Sequence, residues 1–133
     1  MSTLADAGPL IALIDQGQGE IHRRCVAALA SLSAPLLTTW PCFTEAMYFL
    51  DDLKGWSGQK ALWRFIDRGA LRIHVPTDPE TTRMRLLMEQ SSDTPMDLAD
   101  ASLVAAAETR RLRRIFTLDS DFLVYRINGS NAF

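Results

Sequence analysis

The sequence predicts an α/β protein, a three-layer α/β/α sandwich with a central, mostly parallel sheet. Three observations carry that expectation. Short apolar runs alternate with segments whose apolar residues recur at helical spacing. Pro and Gly are scattered as punctuation, with no linker, repeat or low-complexity block. The length, 133 residues, suits a single domain spanning 1–133. Strands that alternate with helices return parallel to one another, because each crossover is long enough to hold a helix.

The elements follow in order. Thr3-Leu4-Ala5 is a short first strand that ends at Asp6. A brief helix runs from Pro9 to Asp15, and a second from Glu20 to Leu32, where Ile21, Cys25, Ala28, Leu29 and Leu32 share a face. Pro35 opens a strand over 36–39. Pro41 to Leu53 is a helix with Pro in its first turn, stopped by Gly55, and Ser57 to Arg68 is another, closed by Gly69. The run 71–75 alternates and predicts the third strand. Asp78 caps a helix to about Glu89. Thr94-Pro95-Met96-Asp97 reads as a helix start, with Thr94 as cap and Asp97 as the acid of a capping box; that helix reaches about Arg111. Arg114 to Leu118 is the fourth strand, ending at Asp119, and Val124 to Ile127 is a short fifth.

Composition sets the outer bounds. The hydrophobic fraction is 47%, ordinary for a globular protein, and the formal net charge is −2. That balance excludes a strongly basic nucleic-acid coat protein. It leaves room for a nuclease, since bound divalent cations would reverse the sign of an acidic site. The two cysteines, Cys25 and Cys42, sit among apolar residues without CxxC or Cys/His spacing. They read as buried thiols in a reducing compartment, not as zinc ligands. The N-terminus lacks a positive leader and a long apolar core, and no apolar stretch reaches membrane-spanning length. A cytoplasmic protein is expected.

In parallel sheets ligands bind beyond the carboxyl ends of the strands. Asp6 and Asp119 stand just past two such ends. Either alone also reads as a turn acid or helix cap. Two further acids interrupt apolar helix faces: Glu45, on a stripe with Pro41, Cys42, Tyr48 and Phe49, and Asp100, on a stripe with Leu103, Val104 and Ala107. Burying an unpaired carboxylate costs several kcal/mol or raises its pKa. No Lys or Arg neighbours Glu45 at helical spacing. Asp97 lies one turn before Asp100 and reads either as the capping-box acid alone or as a border of the same site, and Asp121, two residues past Asp119, reads either as a surface turn acid or as part of the site. Convergent carboxylates repel one another, and hard divalent cations resolve that repulsion; oxygen-only donors suit Mg²⁺ or Mn²⁺. Paired cations roughly 4 Å apart serve phosphodiester cleavage. His22 and His74 fall inside a helix and a strand and read as structural. Phosphate loops of the GxGxxG or GxxxxGK[ST] type are absent from the sequence.

The ordered segments around Asp6 (4–13), Glu45 (38–46), Asp100 (96–107) and Asp119 (115–122) resemble those of the PIN-domain family, within it the VapC-type toxins of bacterial toxin–antitoxin pairs. The resemblance implies a PIN-like sandwich and a Mg²⁺- or Mn²⁺-dependent endoribonuclease. It carries Asp6, Glu45, Asp100 and Asp119 to the metal site, with Thr117 as an assisting hydroxyl. It also implies an RNA substrate, a 5′-phosphate on one product, a cognate antitoxin that inhibits the toxin, and a homodimer. One departure stands out: Ala7-Gly8 follows the first acid where many relatives have a hydroxyl residue, which predicts thinner support for Asp6.

RNA must also be gripped. Arg110-Arg111-Leu112-Arg113-Arg114 is the densest basic run, and it equally complements a helix C-terminus. Lys60, Arg64 and Arg68 form a helical stripe; Trp40, Trp56 and Trp63 either stack bases or fill the core and a dimer interface. The helix pair from Phe49 to Phe65 offers an apolar groove for an antitoxin. Two other readings keep the fold. A phosphorylated receiver or phosphatase wants a late strand-end Lys or a DxD pair, and the last Lys is Lys60 while Ala7 and Gly8 follow Asp6. A catalytically degenerate binding module would have no need of all four acids.

Overall fold

The computed structural model describes residues 2–91 and 96–118, and the backbone of 126–127 and 131–132. Strands β1 (Thr3–Ala5), β2 (Leu36–Thr39), β3 (Leu71–His74) and β4 (Ile115–Phe116) form one sheet in the order β3-β2-β1-β4. Every pairing in it is parallel: Thr3 lies beside Leu36, Leu36 beside Leu71, and Leu4 beside Ile115. Six helices connect and cover these strands: α1 (Ala7–Ile14), α2 (Glu20–Leu29), α3 (Trp40–Lys54), α4 (Trp56–Asp67), α5 (Asp78–Gln90) and α6 (Leu98–Arg110).

The strand pleat creates the layers. Successive side chains point to opposite faces. Leu4 and Leu37 enter a core with Met84 and Leu87 of α5 and with Leu103, Val104 and Ala107 of α6. Their chain neighbours Ala5 and Leu36, with Leu71, enter a second core with Leu10 of α1, Phe43 and Leu50 of α3, and Leu62 of α4. The sheet is therefore buried on both faces, and the sandwich has the three layers and the parallel sheet that the alternation of elements predicts.

Helix α6 is buried all round over 99–107. Five alanines and Ser102 within that stretch let it lie close against both β2 and α3. At the α3–α4 corner, Gly55 adopts a φ of 63°, which an L side chain tolerates poorly.

Several boundaries differ from the sequence reading, for local reasons. Helix α1 starts at Ala7, two residues before Pro9, because Asp6 caps it: its Oδ1 accepts from the Ala7 amide at 2.7 Å. Thr77, not Asp78, caps α5 through a reciprocal capping box with Glu80. Helix α6 starts at Leu98 with Asp97 as its cap, so Asp97 is not the third residue of a box opened by Thr94. Thr94 itself lies outside the described residues. Strand β4 is only 115–116 long, shorter than 114–118. Its partner β1 ends at Ala5; the last rung is the Asp6 amide donating to the Phe116 carbonyl at 3.0 Å, after which the chains part. Of the expected fifth strand, Arg126–Ile127 pairs antiparallel with Asn131–Ala132, apart from the main sheet, and Val124 lies outside the described residues.

Candidate functional site

The carboxyl edge of the sheet is where three helices begin. Asp6 follows β1 and caps α1, Thr39 ends β2 and caps α3, and Asp97 caps α6. Their amino termini concentrate partial positive charge at one edge, a setting that favours carboxylates.

Asp6 is buried, 9% exposed. Its Oδ1 accepts from the Ala7 amide at 2.7 Å and lies 3.8 Å from the Cys42 thiol. Oδ2 accepts from Thr117 Oγ1 at 3.1 Å. The absent hydroxyl at Ala7-Gly8 is thus replaced by groups from α3 and from the end of β4. Sequence reading treated Cys42 as a plain buried thiol and missed this contact.

Asp97 and Asp100 cap α6 reciprocally: Asp97 Oδ1 accepts from the Asp100 amide at 2.8 Å, and Asp100 Oδ2 from the Asp97 amide at 3.4 Å. Asp100 is 8% exposed on the stripe with Leu103, Val104 and Ala107, as expected. Asp97 is exposed at the rim.

Glu45 lies in the second turn of α3, and it is half-buried. The buried face of α3 is made by Cys42, Phe43, Ala46 and Leu50, while Tyr48 is 70% and Phe49 43% exposed. Its expected apolar stripe therefore runs along the outside of the core, and Glu45 borders it. Burial raises the Glu45 carboxyl above its ordinary range, and the charges of Asp97 and then Asp6 push it the same way. Cys42 responds alike: burial drives its thiol far up, a hydrogen bond with Thr39 offsets part of this, and the charges of Asp6 and Glu45 add to it. Asp6, Glu45 and Asp97 thus share one negative field. Asp119 and Asp121 lie outside the described residues.

Donor type and charge at this edge fit Mg²⁺ or Mn²⁺: the acids offer only hard oxygens, and their mutual repulsion is what a divalent cation relieves. Among the described residues, no three His, Cys, Asp or Glu side chains close into a ligand cage. The field and the absence of a cage are compatible, because Coulomb coupling reaches further than coordination distance. In this arrangement Asp6, Glu45 and Asp100 are the residues that could hold the cation, with Asp97 at the rim.

Beneath the acids lies a buried polar chain that sequence reading also missed. Thr39 Oγ1 accepts from the Cys42 amide at 3.4 Å and sits 2.6 Å from Ser102 Oγ, which donates to the Ala99 carbonyl at 2.6 Å. The available signal was Ser102, a lone hydroxyl within the alanine-rich apolar stretch 99–107.

The expected accessory residues divide. Arg110 donates from Nε to His74 Nδ1 at 2.7 Å, which gives it a structural partner; Arg111, Arg113 and Arg114 are exposed. Lys60, Arg64 and Arg68 are exposed too. The tryptophans do not fill the core: Trp40 is 46%, Trp56 63% and Trp63 39% exposed. His22 bonds through Nδ1 to the Ala12 carbonyl at 2.6 Å, consistent with a structural role.

The sequence matches no protein-family model and no curated protein. Solved structures do share its fold. The crystal structure of VapC20 from Mycobacterium tuberculosis, a sarcin-ricin loop cleaving toxin, superposes with a TM-score of 0.81 at 15% identity, over 90% of this chain and 91% of that one. A chain of VapBC2 from Rickettsia felis, solved bound to a DNA fragment from their promoter, gives 0.66 at 13% identity, over 92% and 91%. The chain has the PIN-like α/β fold of VapC-type toxin structures.

Proposed function

We propose that the chain, as one domain over 1–133, is a Mg²⁺- or Mn²⁺-dependent endoribonuclease and the toxin of a type II toxin–antitoxin pair. The observation that carries this reading is the placement of buried Asp6, just past β1, beside the first turn of α6 that holds Asp97 and Asp100, with the Cys42 side chain touching both Asp6 and Ala99. The VapC-type fold supports it.

In this reading Asp6, Glu45 and Asp100 hold the cation, Asp97 borders it, and Asp119 or Asp121 supplies a further carboxylate. The cation contributes Lewis acidity, making water a better nucleophile and neutralising charge on the phosphate oxygens. The chain's own contribution is orientation. Three donors fix the two oxygens of Asp6, and the capping box fixes Asp100 against the start of α6. Water would attack the RNA phosphodiester in line, giving its proton to one of the acids or to solvent as the P–O3′ bond breaks, leaving a 3′-hydroxyl on one product and a 5′-phosphate on the other. Exposed Arg and Lys side chains on α4 and after α6 hold the backbone. A cognate antitoxin and a second copy of the chain account for the exposed apolar side chains Tyr48, Phe49, Leu53 and Trp56 along α3 and α4. Among the described residues no helix is long and apolar enough to cross a membrane. We assign the protein to the cytoplasm.

The test is cleavage of a set of structured RNAs, a sarcin–ricin loop hairpin among them, with Mn²⁺, Mg²⁺ or EDTA. Wild type is compared with Asp6→Asn and Asp100→Asn. Cutting that requires the cation and is lost in both variants is the expected result. Cutting that survives both variants defeats the site assignment. Absence of both cutting and Mn²⁺ binding would instead favour a binding module.

A further inference from the structure

The buried hydroxyl chain joins the elements that carry the acids, and its hydrogens can be counted. Ser102 Oγ gives its proton to the Ala99 carbonyl, so the 2.6 Å contact must take the proton of Thr39 Oγ1, which in turn accepts from the Cys42 amide. Each hydroxyl donates once and accepts once. The chain runs Cys42 amide, Thr39, Ser102, Ala99 carbonyl, without a break. Thr39 is 3% and Ser102 5% exposed, so water does not substitute for either partner.

Its two ends matter. Cys42 lies in the first turn of α3, three residues before Glu45, and its thiol reaches Asp6 Oδ1. Ala99 lies between Asp97 and Asp100 in the first turn of α6, and its carbonyl also lies 3.7 Å from the Cys42 sulfur. The thiol thus lies within reach of two acceptors, the Asp6 carboxylate and the Ala99 carbonyl, and ties the start of α3 to both. Alanines on either side of Ser102 keep α6 close to β2, so the hydroxyls can pair across the gap and add a directional restraint to the packing of Leu103 and Val104.

We propose that Thr39 and Ser102 are positioning residues that set the first turn of α6 against the start of α3 and thereby hold the spacing between Asp100, Glu45 and Asp6. The proposal rests on the metal-site reading given above. Groups behind metal ligands typically change affinity by about 10–100-fold when lost. Because the chain acts as a unit, losing one member should cost nearly as much as losing both.

The experiment has two readouts: amide hydrogen exchange of residues 101–103 without metal, and affinity for Mn²⁺ alone, from the electron paramagnetic resonance of the free ion. Ser102→Ala and Thr39→Val should each speed exchange and weaken Mn²⁺ about tenfold. The double variant should be little worse, and Thr39→Ser, which keeps the hydroxyl, should match wild type. Leu62→Ala, in the core of the opposite layer, should lose stability and keep its Mn²⁺ affinity. Unchanged Mn²⁺ affinity in Ser102→Ala, or equal weakening in Leu62→Ala, overturns the proposal. If wild type takes up no Mn²⁺, the metal-site reading fails. Exchange then decides the latch itself: acceleration confined to α6 sustains it, and unchanged exchange removes it.

Discussion

His74→Phe should destabilise the protein by roughly 3 kcal/mol at neutral pH, and that loss should shrink in acid. His74 ends β3 and is buried with Glu80, at 6% and 5% exposure. Its Nδ1 accepts from Arg110 Nε at 2.7 Å, which leaves the ring proton on Nε2, 2.6 Å from Glu80 Oε2. The other Glu80 oxygen has Thr77, whose amide and hydroxyl each lie at 3.3 Å. Phe fills the space of the ring but offers no N–H, so Oε2 loses a charge-assisted bond worth about 1.5–3 kcal/mol and stays desolvated. Arg110 is exposed and can turn to water, which keeps the total at the lower end of the range for a broken buried pair. For a domain of this size that is a fall in melting temperature of about 10 °C.

The pH dependence follows from Glu80. Burial, the largest influence, pushes its carboxyl up; the bonds from His74 and then Thr77 outweigh it and hold the group below its ordinary range. Its stabilisation is therefore complete above the unfolded value of about 4.3 and is lost as pH falls through the lower folded value. In His74→Phe the Glu80 carboxyl loses the bond that most offsets burial, so its folded value moves up and the variant's penalty is relieved as pH falls. The gap between the two proteins should be widest near pH 7 and close progressively below about pH 5. Urea unfolding at both ends of that range measures it. A loss under about 1 kcal/mol at neutral pH, or a gap that does not narrow, refutes the reasoning.

Two further predictions concern the same fold. Arg111 caps α6 with φ 57° and ψ 43°, a left-handed conformation that suits Gly; Arg111→Gly should raise stability by about 0.5–1 kcal/mol, read as a higher melting temperature. Burial raises both thiols, with Arg24 partly opposing at Cys25 and Thr39 at Cys42, so neither should react with a disulfide reagent at about pH 8 until guanidinium unfolds the chain.

Much of this was legible in the sequence because it rests on periodicity. Leu103, Val104 and Ala107 mark the buried stripe of α6, and Asp100 interrupts it where the structure buries it. The alternation of strands with helices already implied a parallel sheet covered on both faces. Legibility failed where a side chain competes for a backbone group. Asp6 and Asp97 each start a helix at a point that Pro9 and Pro95 obscured, since Pro favours a first turn without fixing which residue caps it. For the tryptophans only the core-filling alternative is answered: Trp40, Trp56 and Trp63 lie on faces that the described residues leave partly exposed. Partners from distant elements escaped local pattern: nothing in the sequence joins Thr39 to Ser102, and Thr117 came to the site beside Asp6 only through the family resemblance.

The acids at the sheet edge raise a question of sign: why does the chain tolerate them together? Asp6 caps α1, and Asp97 and Asp100 cap α6, so three of them neutralise the positive ends of helices and satisfy amides that would otherwise lack partners. Glu45, in the second turn of α3 and among the described residues in no ion pair, carries the residual strain as a raised pKa. Helix ends, rather than a cation, therefore suffice to assemble this edge. The fold should not depend on metal, in contrast to a zinc finger, which unfolds without it. With EDTA the protein should keep its far-ultraviolet circular dichroism and unfold in one cooperative step. Mn²⁺ at about 100 times its dissociation constant should then add about 2.7 kcal/mol of stability. Asp6→Asn should remove most of that increment while leaving the EDTA melt little changed, because Asn caps a helix nearly as well as Asp. Unfolding on EDTA treatment would show that the cation, and not the helix ends, holds the acids together.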